Sequence, residues 1–163
     1  AQIQGLELEL NYLVRDNLSF GLNYAFTDAT LEEDFTPNAR TGIPQALAGE
    51  RLPVSAEHTY ALFVDWQRRL TSKMDLALRA THRYIGDRVD DLGDDGRSEY
   101  LSSYRLTDLR ASVEYVNGLT VSLFADNVFN KIVFTRESAR GRYLSQADIN
   151  RPRTVGLNVA YRF

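Results

Sequence analysis

Hydrophobic and polar residues alternate strictly along the last stretch of the chain, residues 151–163 (RPRTVGLNVAYRF). After Pro152 the apolar positions are every second residue, namely Val155, Leu157, Val159, Tyr161 and Phe163. A period of two is the signature of a β-strand with one apolar and one polar face. Because termini of soluble domains are usually frayed and polar, an aromatic end favours a strand packed against lipid, with Phe163 at the water boundary.

The same alternation recurs six more times along the chain. It predicts an all-β fold, an antiparallel up-and-down meander of about seven long amphipathic strands that forms part of a transmembrane β-barrel. The other six predicted strands are centred on residues 6–12, 18–26, 60–67, 74–84, 109–115 and 119–126. Tyr104 and Leu106 are out of phase with Leu109, which predicts a β-bulge near Thr107.

The predicted connections alternate between short and long. Tight turns are expected at residues 15–17, at residues 70–73 and at Asn117-Gly118, a strong hairpin signal. Residues 28–53, 86–102 and 133–150 are polar and are predicted to be long loops. Outer-membrane barrels have this arrangement, with short periplasmic turns and long extracellular loops. Strands of about 10–14 residues also approach the length of a tilted membrane strand.

The two faces of the predicted strands differ in chemistry. Aromatic residues on the apolar face lie toward the strand ends, as in interfacial girdles; they are Tyr12, Tyr24, Phe26, Tyr60, Trp66, Tyr84, Tyr115, Tyr161 and Phe163. The polar face carries charged residues, namely Glu7, Glu9, Asp65, Asp75, Arg79, Arg83, Arg110 and Glu114. Such charges suit a water-filled or plugged lumen rather than a filled soluble core. Phe63 and Phe124 are also predicted to lie on this polar face. Either they contact a plug, or the predicted register is shifted by one residue.

The strand count leaves three architectures open. Seven is odd, whereas bacterial single-chain barrels have an even number and lipid does not tolerate open sheet edges, so we expect the C-terminal part of a larger barrel. A complete eight-stranded outer-membrane barrel with a structural role would need a hidden strand in residues 28–53 or 133–150. A soluble binding barrel of the lipocalin type would turn the apolar face inward around a ligand.

Composition narrows the function further. A net charge of −3 and a pI near 5.4 argue against a nucleic-acid partner, and the absence of cysteine fits an outer-membrane protein that folds without disulfides. The Asp-rich residues 86–100 fail the calcium-loop pattern at Gly93 and Ser102, so a solvated loop without metal is expected. His58 and His82 fall on the apolar face, which leaves no base for a hydrolase and no haem or metal ligand set. We therefore expect neither an enzyme nor a bound cofactor.

Three segments carry a family resemblance. GERLPVSAEHT (residues 49–59), FADNVFNK (residues 124–131) and RPRTVGLNVAYRF (residues 151–163) resemble, in order and spacing, the C-terminal β-barrel segment of TonB-dependent outer-membrane receptors. The resemblance implies a barrel of about 22 strands around a plug, of which this chain would be about the last third of the wall. The plug, the N-terminal strands and the TonB box would lie outside this sequence.

The resemblance also implies a function, a location and partners. Such receptors lie in the bacterial outer membrane, in contact with its lipid and lipopolysaccharide, and import iron–siderophore complexes, haem, cobalamin or other scarce ligands. TonB would act only through the missing N-terminal part. The barrel-assembly machinery would read the terminal strand, at Tyr161 and Phe163.

The third predicted loop contains the candidate ligand-binding residues. They are Arg136, Arg140, Arg142 and Tyr143. One guanidinium group can donate two parallel hydrogen bonds to the oxygens of a carboxylate, catecholate or phosphate group, and siderophores are often anionic. The alternative interpretation is charge that faces other loops or lipopolysaccharide.

Overall fold

Residues 1–36, 42, 44–92, 99–140 and 144–163 are described by the computed structural model, with side chains for all of them except residues 91, 99, 137–140 and 144–146. The strands are β1 (Gln2–Arg15), β2 (Leu18–Thr30), β3 (His58–Thr71), β4 (Met74–Ile85), β5 (Arg88–Asp91), β6 (Glu99–Leu101), β7 (Tyr104–Tyr115), β8 (Leu119–Asp126), β9 (Phe134–Arg140), β10 (Leu144–Ile149) and β11 (Thr154–Tyr161). Seven of them form one antiparallel sheet in the order β1-β2-β3-β4-β7-β8-β11. The predicted all-β meander is therefore confirmed. The described residues include no helix that is long and apolar enough to cross a membrane.

Short and long connections lie at opposite ends of the sheet, as predicted. Tight turns join β1 to β2, β3 to β4 and β7 to β8, and we call this the tight-turn end. The other end, where β2 leads to β3, β4 to β7 and β8 to β11, is the long-connection end. The connection between β2 and β3 contains only isolated bridges in its described part, Thr30 with Arg51 and Phe35 with Ala46.

Two of the predicted loops were wrong, because each folds into a hairpin. β5 pairs with β6 and β9 pairs with β10, in separate two-stranded sheets. The sequences FTRESAR and LSQADI are polar on both sides, so they show no apolar alternation. Since β9 and β10 pair only with each other in the described residues, residues 133–150 do not supply an eighth strand to the sheet.

The expected β-bulge near Thr107 is also wrong. β4 and β7 pair without interruption from Met74 opposite Tyr115 to Ile85 opposite Tyr104. Thr107 stays on the apolar face, where its hydroxyl lies 2.9 Å from Nδ1 of His82. Arg105 follows on the same face, with its guanidinium carbon 5.1 Å from the ring centre of Tyr84. The apolar face thus becomes polar toward the long-connection end while the register stays constant.

The apolar face of the sheet is not covered by the described protein. Its side chains remain exposed along the strands, as Leu6, Leu10, Leu123 and Leu157 illustrate. Among the described residues, the buried apolar side chains are few and lie at the long-connection end: Ala29, Ala46, Val89, Leu101 and Val133. An exposed apolar surface of this extent requires lipid or another apolar partner.

Phe63 and Phe124 each cover a glycine on a neighbouring strand of the polar face. Phe63 lies opposite Gly21, and Phe124 lies opposite Gly156. A β-carbon added to Gly156 would overlap the Phe124 ring, and one added to Gly21 would press on the Phe63 ring. An aromatic side chain that covers a cross-strand glycine stabilises the sheet there and fixes the pairing. The register is therefore correct, and the two rings need no plug to explain their position.

Replacing Gly156 by valine should remove this fit. The branched side chain displaces the Phe124 ring, which we expect to cost about 1–3 kcal/mol by overpacking. Ala160→Val is the matched control, since Ala160 lies on the same face of β11 opposite Thr120. We expect the heat-resistant folded band of Gly156→Val to disappear at a lower temperature than that of the wild type. The band of Ala160→Val should disappear at the wild-type temperature. Equal melting of the two variants would contradict it.

Candidate functional site

Ion pairs cross between strands on the polar face. Arg79 donates to both carboxylate oxygens of Asp65, at 2.6 and 3.1 Å, from the neighbouring strand. Arg83 donates to Asp108 at 2.6 Å. These side chains are half-exposed, so each pair adds little to stability. Their consequence is chemical, because they keep this face hydrophilic and hold its arginines in place.

A groove of about 600 Å³ runs across the polar face toward the long-connection end. Its polar-face lining includes Glu7, Glu9, Asn23, Thr59, Ala61 and Arg83. The alternation of each strand places these residues on one side of the sheet, on four adjacent strands. The groove therefore exposes carboxylates, an amide and one guanidinium on the polar side of the sheet.

A buried arginine lies where the two hairpins meet at the long-connection end. Arg88 is only 6% exposed, its Nη2 donates to the backbone oxygen of Thr135 at 3.0 Å, and its guanidinium carbon lies 5.6 Å from the Tyr104 ring centre. Its Nη1 is buried and has no hydrogen-bond partner among the described residues. Buried donors are nearly always paired, so this nitrogen is suited to donate a hydrogen bond to an anionic oxygen.

Arg51 ties the first long connection to the second. Its guanidinium pairs with Glu57, at the start of β3, and donates to Asp87 at 3.1 Å. Arg51 itself bridges Thr30 at the end of β2. These contacts hold β5 against the sheet and thereby position Arg88.

Sequence reasoning missed Arg88. It follows Gly86-Asp87 in a polar stretch without periodicity, which resembles any solvated loop. Its burial depends on Thr135, which comes 47 residues later in the chain. The only indication in the sequence was an arginine within a polar segment, and such arginines are too common to be identified as site residues.

The predicted ligand-binding residues are only partly described. Arg136 is exposed on β9, next to Thr135 and therefore near Arg88. Arg140 ends β9, but its side chain lies outside the described part, as do Arg142 and Tyr143 entirely. The grouping of these four residues stays a prediction.

The predicted assembly signal lies at the tight-turn end of β11. Tyr161 is 59% exposed on the apolar face, and its ring centre is 6.3 Å from that of the fully exposed Phe163. The histidines also lie on the apolar face, as predicted: His58 is hydrogen-bonded to the Tyr24 hydroxyl at 2.9 Å. Within the described ranges, no three His, Cys, Asp or Glu side chains come together to hold a metal ion.

Three asparagines connect β8 to the start of β11, and we call Asn127, Asn130 and Asn150 the asparagine cluster. Asn127 is 4% exposed; its Nδ2 donates to the backbone oxygens of Lys131 (2.9 Å) and Arg151 (3.1 Å), and its Oδ1 accepts from Lys131 N (2.9 Å). Asn150 Nδ2 reaches the same two oxygens, at 3.0 and 3.1 Å. Two sequence motifs distant along the chain therefore meet through their backbones.

The remaining contacts of the cluster fix where β11 begins. Asn130 Oδ1 accepts from the backbone nitrogen of Arg153 at 3.0 Å. Asn127 N donates to Asp108 at 2.9 Å, which joins the cluster to β7. Asn127 and Asn130 have φ angles of 49° and 50°, a left-handed conformation that asparagine tolerates better than most residues. Backbone conformation as well as hydrogen bonding therefore favours asparagine at these two positions.

Solved structures with the same fold are siderophore receptors. The ferric yersiniabactin uptake receptor FyuA of Yersinia pestis matches with a TM-score of 0.76 and 20% identity over 96% of this chain and 23% of its own. The siderophore receptor PiuA of Acinetobacter baumannii matches with a TM-score of 0.75 and 20% identity over 98% and 21%. The ferric enterobactin receptor PfeA of Pseudomonas aeruginosa, as a G324V mutant, gives 0.71 and 22% over 99% and 22%. At these identities the likeness establishes the fold, and the chain spans less than a quarter of each receptor.

The sequence carries the family assignment independently. No curated protein matches the chain. The family model described as TonB dependent receptor-like, beta-barrel, matches residues 1–128, most of the chain. The chain belongs to the family of TonB-dependent receptor β-barrels, as its three sequence motifs predicted.

Proposed function

We propose that this chain is the C-terminal wall of an outer-membrane receptor that imports an iron–siderophore complex or a similar scarce anionic ligand. The observation that carries the ligand class is the buried Arg88, whose Nη1 has no hydrogen-bond partner among the described residues and lies where the β5–β6 and β9–β10 hairpins meet. A guanidinium held in this way binds carboxylate or catecholate oxygens strongly. The activity is transport, and the segment performs no covalent chemistry.

The open sheet supports the placement within a larger barrel. β1 and β11 are the edge strands, and each pairs on one side only among the described strands. In a bilayer such edges must be paired, so further strands of the receptor complete the wall between them. The plug and the TonB box belong to that N-terminal part, and TonB acts through it alone.

The apolar face supports the location and the other partners. It lies against outer-membrane lipid, with lipopolysaccharide at the long-connection end. Tyr161 and Phe163 form the signal that the barrel-assembly machinery reads, since both rings are exposed at the end of the last strand. Arg136, Arg140, Arg142 and Tyr143 join Arg88 as ligand contacts from β9 and its hairpin.

Replacing Arg88 in the full-length receptor tests the ligand site. We expect Arg88→Gln to weaken binding of the imported ferric complex on the order of tenfold or more, because a charge-assisted hydrogen bond is lost. Uptake of radioactive iron supplied as catecholate, hydroxamate or carboxylate siderophore is the measurement, in cells that depend on this receptor. Arg110→Gln, on the polar face of β7 below the hairpins, is the control.

Two outcomes would overturn the proposal. Uptake that is unchanged by Arg88→Gln for every complex would remove Arg88 from the ligand site. A wild-type receptor that reaches the outer membrane and takes up none of these complexes would contradict the proposed ligand class itself.

A further inference from the structure

A second groove, of about 560 Å³, lies on the apolar face of the sheet. Its floor is formed by three alanines on adjacent strands, Ala80, Ala111 and Ala125, and larger side chains such as Trp66 and Val155 border it. The small side chains leave a channel between the larger apolar side chains of this face. Because side chains alternate between the two faces of a strand, these three alanines all lie on the apolar face, and the channel opens on that side of the sheet.

An arginine lies on the same face, at the long-connection end of the groove. Arg105 is exposed, and it precedes the groove residue Leu109 by four positions on β7, or about 13 Å along the strand. Its guanidinium rests against the Tyr84 ring, and Tyr84 in turn stacks on Tyr60 with ring centres 5.1 Å apart. Within the described residues Arg105 forms no ion pair, although it borders an apolar surface.

The level between Arg105 and the groove is polar but uncharged. His82 and Thr107 lie opposite each other there, joined by the 2.9 Å hydrogen bond. Along one face of the sheet, a cation, a hydrogen-bonding pair and an apolar channel therefore follow one another at steps of about 7 Å. A membrane lipid has the same order of groups, with a headgroup phosphate, ester or amide linkages and acyl chains.

We infer that this face binds one anionic lipid of the outer leaflet, with a phosphate on Arg105 and an acyl chain in the groove over Ala111. A guanidinium binds phosphate oxygens in pairs, and an aromatic ring behind it limits its movement. Arg105 is exposed and forms no ion pair among the described residues, so its guanidinium is available to a phosphate. The inference rests on the proposed membrane function, since it requires the apolar face to lie in a bilayer.

The test uses the full-length receptor with bisphosphorylated lipid A as the probe. Native mass spectrometry of the detergent-solubilised receptor should show one retained lipid A, and Arg105→Gln should weaken retention on the order of tenfold. Arg105→Lys should restore part of it. The control is Arg69→Gln, on the polar face of β3 opposite Asp75 and outside the groove, which should leave retention unchanged.

A second pair of variants tests the groove. Ala111→Phe fills it and should lower lipid A retention, whereas Val121→Phe, on the apolar face but outside the groove, should not. Equal retention by the Arg105→Gln and Arg69→Gln variants, or displacement of the lipid by inorganic phosphate alone, would overturn the inference. Iron uptake by the same variants separates the two proposals, because loss of the lipid site should leave the ferric-complex specificity unchanged.

Discussion

Leu157→Arg should prevent the receptor from assembling, whereas Asn158→Arg should be tolerated. The two residues are neighbours on β11, but Leu157 lies on the apolar face opposite Leu123 and Asn158 lies on the polar face opposite Ser122. An arginine facing lipid near the bilayer centre costs roughly 2–4 kcal/mol. On the polar face the same charge joins a surface that already carries paired arginines.

The measurement is the heat-modifiable band of the folded barrel in the outer-membrane fraction. We expect it to disappear for Leu157→Arg and to remain near wild-type intensity for Asn158→Arg. Similar losses in the two variants would show that the faces have been assigned incorrectly. Leu157→Met provides a control for the loss of leucine without a charge, and it should assemble.

Asn127→Asp should weaken the attachment of β11, whereas Asn130→Asp should not. Asn127 uses its Nδ2 to donate to two backbone oxygens, so a carboxylate there places a negative oxygen against both of them. Asn130 uses only its Oδ1 in the contact with Arg153, which aspartate can reproduce. Aspartate also adopts the left-handed backbone, so conformation does not separate the variants.

Leaving a buried hydrogen-bonding group unpaired costs about 1–3 kcal/mol. The Asn127→Asp substitution should therefore lower the free energy of unfolding by at least that amount. The readouts are the urea midpoint of the folded receptor and protease cleavage near residue 150. An early loss of protection in the Asn127→Asp variant is expected. Unchanged protection there, or the same loss in the Asn130→Asp variant, would show that the cluster does not hold the strand.

The seven strands of the main sheet could be predicted because each of them alternates apolar and polar residues between its two faces. The same reasoning failed for strands that lack this alternation. β9 and β10 are polar on both faces, so their pairing leaves no pattern in the sequence. Thr107 and Arg105 broke the apolar alternation, yet β7 runs straight, because the surroundings of the face change along the strand and its register does not.

The candidate site was predictable only as a region. Arg136 lies in the segment that the sequence indicated as the third loop, which folds into the β9–β10 hairpin. Arg88, in contrast, becomes a site residue through Thr135 and Tyr104, which lie far from it in sequence. Burial of a long polar side chain depends on such distant contacts, and no local periodicity records them. The motif around Asn127 was found as a resemblance, whereas its hydrogen bonds to Arg151 explain why the two motifs occur together.

The closure at the base of the β9–β10 hairpin has an evolutionary consequence. Asn150 N donates to Val133 O at 3.1 Å, and Val133 N donates to Asn150 Oδ1 at 2.8 Å, so the hairpin leaves and rejoins the wall through one closed pair. Residues between these two positions can be exchanged or lengthened without changing the position at which β11 starts. Such exchanges would alter the surface next to Arg88 and leave the sheet unchanged, so the proposed ligand site can be varied while the wall that carries it is kept.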